Sequence, residues 1–190
     1  MPSYFDLKAQ LGVYAQYHND FVNKLVHIVF VPCIMFTTLV FLQYTAPLAA
    51  WPAPVAAYIP AGVQLNVAAA LALFYAVYYV ILEPFAGGLF VPILGAMVYY
   101  SHVVHEDMLR AAILLFVFSW VMQIVSHSVF EKRAPALLDS LLQAFLLAPL
   151  FVWLEVLFMI GYRQQLAEAI DVQAKKDIAA FRKSQNKKKA

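Results

Sequence analysis

Charge is scarce in this chain, and cysteine is nearly absent. Only 13% of the 190 residues are Asp, Glu, Lys or Arg, against about 25% in an average soluble domain. With 64% hydrophobic residues, an ordinary water-soluble domain is excluded and a polytopic membrane protein is indicated. The single cysteine, Cys33, sits in an apolar run, so no intrachain disulfide can form and cysteine usage says nothing of redox compartment. Six glycines occur without a nucleotide-binding loop, and there is no internal repeat. Neither H-x-x-H-H nor H-E-x-x-H is present, which removes the compact histidine-box signatures. Residues 1–16 carry charge and lack a continuous apolar core, so no cleavable signal peptide is expected and the first span is its own insertion signal.

What is there is apolar sequence punctuated by charge at its edges. Residues 3–17 place Leu7, Leu11, Tyr14 and Tyr17 at three- and four-residue steps after Phe5, which predicts a short interfacial helix. Asn19 or Asp20 is an N-cap for the first span, about residues 23–44. Pro47, Pro52, Pro54 and Pro60 make residues 45–62 an irregular connector. A second span covers roughly residues 63–82, residues 83–88 read as a tight turn, and a short third span follows over 89–104. The fourth runs over about 108–129. A further apolar segment, 137–160, carries Asp139, Gln143, Pro149 and Glu155, which suit a broken or re-entrant helix better than a simple span.

The fold expected is therefore all-α: a membrane helical bundle of four spans plus a fifth apolar re-entrant or broken segment. Residues 1–162 form the membrane-embedded catalytic domain, and 163–190 a basic, helical, cytosolic tail. Eight of the 13 Lys and Arg lie from Arg163 onward. In the four-span arrangement Lys8, Lys24, Lys132, Arg133 and these eight share one face, leaving Arg110 alone opposite, as the positive-inside tendency favours. Both termini are then cytosolic.

The chemistry concentrates at residues 126–139, S-H-S-V-F-E-K-R-A-P-A-L-L-D, where His127, Glu131, Lys132, Arg133 and Asp139 crowd the edge of hydrocarbon. Charge at that depth is a functional signal. Four alternating spans put His18, His27 and His127 on one side at matching depth, and His127 shares a helix face with Glu131. His18 can converge with His27 only because the Asn19-Asp20 break lets it fold back over the helix start. Imidazoles suit iron, copper or zinc, and a few histidines with a carboxylate and open positions fit non-haem Fe(II) oxygen chemistry. A single histidine at an interface is more often a headgroup contact; three at one depth beside Glu131 read better as ligands. His102 and His105 share a face but fall on the opposite side by simple alternation. Either the third span bends inward or this pair has another role. Arg133 is a candidate fork for a substrate carboxylate, or simply a topology anchor. Asp139 is a candidate partner orienting a histidine, or an N-terminal helix charge.

Tyr17-His18, Asn23-Lys24-Leu25-Val26-His27 with Val31-Pro32, and above all His127-Ser128-Val129-Phe130-Glu131-Lys132-Arg133-Ala134-Pro135-Ala136-Leu137-Leu138-Asp139 resemble the fungal 2-hydroxy-fatty-acid dioxygenase family. Ala148-Pro149-Leu150-Phe151 and Glu155-Val156-Leu157-Phe158 extend the resemblance, which covers about residues 7–162. It implies an Fe(II)-dependent enzyme of the endoplasmic-reticulum membrane that takes a long-chain 2-hydroxy fatty acid and O2. The products would be the acid one carbon shorter and CO2, a step of fatty-acid α-oxidation in phytosphingosine breakdown. The metal ligands implied are His18, His27, His102 and His127, with His105 interchangeable with His102 across an alignment gap. Ser126 and Ser128 depart from the glycines of the family pattern. Glu131 or Asp139 would orient the histidines, and Arg133 or Lys132 would neutralise the substrate carboxylate.

The partners expected are that substrate, O2 and the bilayer, with no nucleic acid. Lys187-Lys188-Lys189-Ala190 resembles a dilysine retrieval signal read by a coat protein, though a solvated basic tail looks the same. Two other readings remain open: a membrane di-iron hydroxylase or desaturase, which normally needs about eight histidines against the five present, and a non-enzymatic membrane adaptor whose tail binds anionic lipid.

Overall fold

The structure, a computed structural model, describes residues 4–131 and 141–189, and among these every regular element is helical. The helices are α1 (Leu7–Tyr17), α2 (Phe21–Leu42), the one-turn α3 (Ala53–Ala56), α4 (Val67–Leu82), α5 (Pro84–Val104), α6 (Leu109–Ser126), α7 (Leu141–Met159) and α8 (Gln164–Lys189). A π-helical turn, His127–Glu131, prolongs α6. Two compact units are built from them, Met1–Ile28 with Gln123–Ala190, and Val29–Met122.

Among the described residues, three helices are long and apolar enough to cross a bilayer: Phe21–Leu42, Pro84–Val104 and Leu109–Glu131. The apolar α4 has 16 residues, short of the ~20 that hydrocarbon requires. Phe145–Met159 and Gln164–Phe181 form a pair bent by 115°. The expected break in the last apolar segment is thus present but displaced. Helix α7 continues through Pro149, and the chain turns at Gly161 (φ 99°) and Arg163 (φ 46°). Glycine there meets no left-handed penalty.

In the unit 29–122, α4 and α5 are antiparallel neighbours joined at Glu83. The tight turn expected over 83–88 is instead this one residue followed by helix, because Pro84 occupies the first helical position, where its missing N–H is no loss. Gly87 is inside α5, against the Tyr79 backbone: a Cβ there would lie 2.3 Å from the Tyr79 carbonyl oxygen. Starting at Pro84, the third apolar helix has 21 residues and is not short. A buried polar chain ties three helices together. Asn66 Nδ2 donates to Gln43 Oε1 (2.9 Å), and Gln43 Nε2 donates to Ser101 Oγ (2.8 Å). Asn66 also caps α4 by accepting from the Ala69 amide at 3.1 Å, so α4 begins at Val67 rather than at 63. Residues 63–65 fold back onto the connector, where Trp51 Nε1 donates to the Val63 carbonyl at 2.9 Å.

In the other unit, Asp6 caps α1 by accepting from the Ala9 amide at 3.0 Å. α1 and α8 pack together, and Leu11 and Ala15 of α1 and Ile170 and Ala174 of α8 are buried. Gln164–Lys189 is helical as expected, and part of this helix packs on α1. Gln16 Nε2 donates to Asp177 Oδ2 at 3.2 Å across this contact.

Candidate metal centre

The centre begins with a break. At His18 the backbone leaves helical geometry (φ −136°, ψ 65°) and α1 ends. Asp20 then restarts the helix, its Oδ1 accepting from the amides of Val22 (2.8 Å) and Asn23 (3.1 Å). The kink at residues 18–20 folds the His18 ring over the opening of α2, where His27 stands two turns in. Its ring centroid is 4.4 Å from that of His27 and 4.8 Å from that of His127, and His27 and His127 are 4.9 Å apart. All three are buried, and one ring nitrogen of each lies within 4.8 Å of those of the other two.

The two N-terminal rings are held by the same local device. His18 Nδ1 meets the Tyr14 carbonyl at 3.0 Å and His27 Nδ1 meets the Asn23 carbonyl at 2.8 Å, each four residues back. A carbonyl can only accept, so in both rings Nδ1 carries the proton and Nε2 keeps its lone pair. Burial, then the neighbouring His27 and His127, lower the His18 pKa well below its ordinary value, so this imidazole stays neutral. His127 Nδ1 is buried with no hydrogen-bond partner among the described residues. Neutral, buried, convergent imidazoles with unshared lone pairs are a donor set for a transition metal, and these residues fit one.

Glu131 is buried at the end of the π-helical turn, but it does not touch an imidazole. Its Oε2 accepts from the amides of Asn19 (3.0 Å) and Asp20 (2.9 Å) and from Asn23 Nδ2 (3.3 Å). The carboxylate therefore fastens the kink that carries His18. Asn23, completely buried, joins the same network: its Oδ1 accepts from Ser126 Oγ at 2.7 Å, and its backbone carbonyl holds His27. Asn23 and Ser126 link both ends of this unit's chain to the histidines, a role that sequence reading missed. An Asn near a helix start reads as a cap, and Ser126 reads only as a replaced glycine. The π-helical turn was also unforeseen; such widenings in α-helices often mark functional positions. Lys24, three residues before His27, pairs with Glu155 Oε1 at 2.9 Å, and its charge is felt at His18.

His102 and His105 belong to the unit 29–122 and are described within it. Their rings are 5.7 Å apart, and His105 Nδ1 meets the His102 carbonyl at 2.6 Å. His102 lies against Gly62, where a Cβ would be 2.8 Å from its Nε2. Tyr44 donates to the His105 carbonyl. Lys132, Arg133 and Asp139 lie outside the described residues.

Comparison with known proteins points the same way. The family described as "2-hydroxy-palmitic acid dioxygenase Mpo1-like" matches residues 4–64 and 65–160. The "2-hydroxy-palmitic acid dioxygenase MPO1" of Saccharomyces cerevisiae (strain ATCC 204508 / S288c) is 32% identical over 168 residues, covering 87% of this chain and 88% of the yeast protein. No solved structure matches.

Proposed function

The chain belongs to the Mpo1-like family of 2-hydroxy-palmitic acid dioxygenases, and we propose that it converts long-chain 2-hydroxy fatty acids and O2 to the acid one carbon shorter, CO2 and water. The observation that carries this reading is the meeting of His18, His27 and His127 in one buried cluster. Bound there, Fe(II) supplies a site at which O2 and the substrate's electrons are brought together. The balance closes without a further reductant: O2 accepts four electrons, and the substrate gives four as C2 becomes a carboxyl carbon and C1 leaves as CO2.

The chain's own groups serve this reaction by position. The Nδ1–carbonyl hydrogen bonds aim the His18 and His27 lone pairs inward. Glu131 and Asn23 are positioning residues that hold the kink and the second turn of α2. Arg133 or Lys132 offers positive charge to the substrate carboxylate, and Asp139 is a candidate for orienting a ring. His102, with His105 as its alternate, is the fourth ligand implied by family resemblance; iron content of His102→Ala and His105→Ala separates the two. The setting is the endoplasmic-reticulum membrane, with cytosolic termini and the terminal lysines as a coat-protein signal. The pathway is fatty-acid α-oxidation during phytosphingosine breakdown.

Purified protein loaded with Fe(II) and given 2-hydroxypalmitate and O2, with no electron donor, is expected to form pentadecanoate. His127→Ala is expected to lose both iron and turnover while remaining folded in detergent. An absolute need for an added reductant, or full iron content and turnover in His127→Ala, would refute the assignment.

A further inference from the structure

Tyr14 is the residue whose chemistry the proposed function leaves unused. Its ring stacks on His18 with centroids 4.1 Å apart and planes 12° from parallel, and it packs at 5.0 Å against Phe151. The side chain is buried, and its hydroxyl has no hydrogen-bond partner among the described residues. Phenylalanine would make both ring contacts without a buried, unpaired hydroxyl, a group that ordinarily costs stability.

Two carboxylates lie near enough for their charge to be felt at this phenol, Glu155 and Glu131, and both are engaged elsewhere. Glu155 takes the Lys24 ammonium on both oxygens, at 2.9 and 3.2 Å. Glu131 Oε2 takes the Asn19 and Asp20 amides and Asn23. The phenol is therefore a spare donor on a ring stacked against His18, one of the three clustered imidazoles. A hydroxyl donor is a complement of a carboxylate oxygen.

We propose that Tyr14 is a substrate-binding residue whose phenol O–H donates to the carboxylate of the acid held at the three-histidine centre. The assignment rests on the function proposed above. Tyr14→Phe removes the hydroxyl alone: the stack on His18 and the backbone carbonyl that holds His18 Nδ1 both remain.

The test is binding of 2-hydroxypalmitate, and of its methyl ester, to the metal-loaded full-length protein in detergent without O2, so that nothing turns over. Tyr14→Phe is expected to keep its metal and its thermal midpoint, or to gain in midpoint. It should bind the acid about tenfold or more weaker, as for loss of a hydrogen bond to a charged group, and the uncharged ester within about twofold of the parent. Phe151→Leu loosens the same stack without touching the hydroxyl, and should not separate acid from ester.

Equal affinity of parent and Tyr14→Phe for the acid would overturn the role of Tyr14 while leaving the function standing. Failure of the metal-loaded parent to bind the acid would overturn both. Loss of metal or of fold in Tyr14→Phe would show that the hydroxyl is partnered within the chain, and would also overturn the proposal.

Discussion

At the scale of single residues, Asn23 explains how a site assembled from distant sequence holds its shape. One buried amide accepts from Ser126 at the end of α6, donates to Glu131, and donates to the Tyr17 carbonyl at 3.3 Å, just before the kink. Truncation removes all three bonds at once, although Glu131 Oε2 keeps the Asn19 and Asp20 amides and Ser126 Oγ keeps the Gln123 carbonyl. Asn23→Ala should therefore lower stability by about 2–3 kcal/mol, the cost of losing several buried hydrogen bonds. Ser126→Ala should cost less, about 1–2 kcal/mol, because it removes one hydroxyl and leaves Asn23 Oδ1 alone without its donor. Thermal unfolding in detergent ranks the two, and iron content of Asn23→Ala should fall with the looser His27 turn. The part of this that sequence could show was residue type and depth: His18, His27 and His127 share a side, and the Asn19-Asp20 break frees His18. The task of Glu131 was hidden. A carboxylate four residues from a histidine reads as that histidine's partner, and only the tertiary fold shows its oxygen spent on two backbone amides.

At the scale of elements, the junction of α4 and α5 shows why a turn was expected where a helix stands. Glu83-Pro84 followed by Gly87-Gly88 has turn composition, yet proline is favoured at the first helical position, and small residues let membrane helices approach closely. The two glycines differ in what surrounds them. A Cβ on Gly87 would meet the Tyr79 carbonyl oxygen at 2.3 Å, the Tyr79 carbonyl carbon at 2.4 Å and Val80 N at 2.6 Å, whereas Gly88 has nothing within 4 Å. Gly87→Ala must push two backbones apart and should cost about 2–3 kcal/mol or more. Gly88→Ala should be neutral or stabilising by up to about 1 kcal/mol, the propensity difference in a helix. A thermal midpoint that falls for both, or for neither, would contradict this packing. No reading of spacing could have separated these neighbours, because the backbone of Tyr79 approaches Gly87 only after α4 and α5 have paired.

At the scale of the whole molecule, the histidine cluster constrains how the chain threads the membrane. Large apolar side chains stand exposed along α4 (Phe74, Val77, Ile81) and α6 (Leu114, Val117, Phe118, Val121), as helices facing lipid require. His27 opens α2 and His127 follows α6, and their rings lie 4.9 Å apart. Those two helix ends must share one side of the bilayer, so the number of crossings from α2 through α6 must be even. Three helices in that interval are long enough by themselves; three crossings would leave the histidines a hydrocarbon thickness of ~30 Å apart. Four crossings, with the short α4 as the fourth, meet this condition while keeping all three long helices in the membrane. The 16 residues of α4 span about 24 Å, and thinning of the bilayer or the flanking Asn66 and Glu83 can make up a deficit of that size at modest cost. Glycosylation acceptors placed in residues 50–58 and at 106–107 should then both be modified in endoplasmic-reticulum microsomes, while acceptors before residue 7 or after 181 should not. If instead the 50–58 site were modified and the 106–107 site were not, α4 would not cross. His27 and His127 would then be on opposite faces, and no single metal ion could join them.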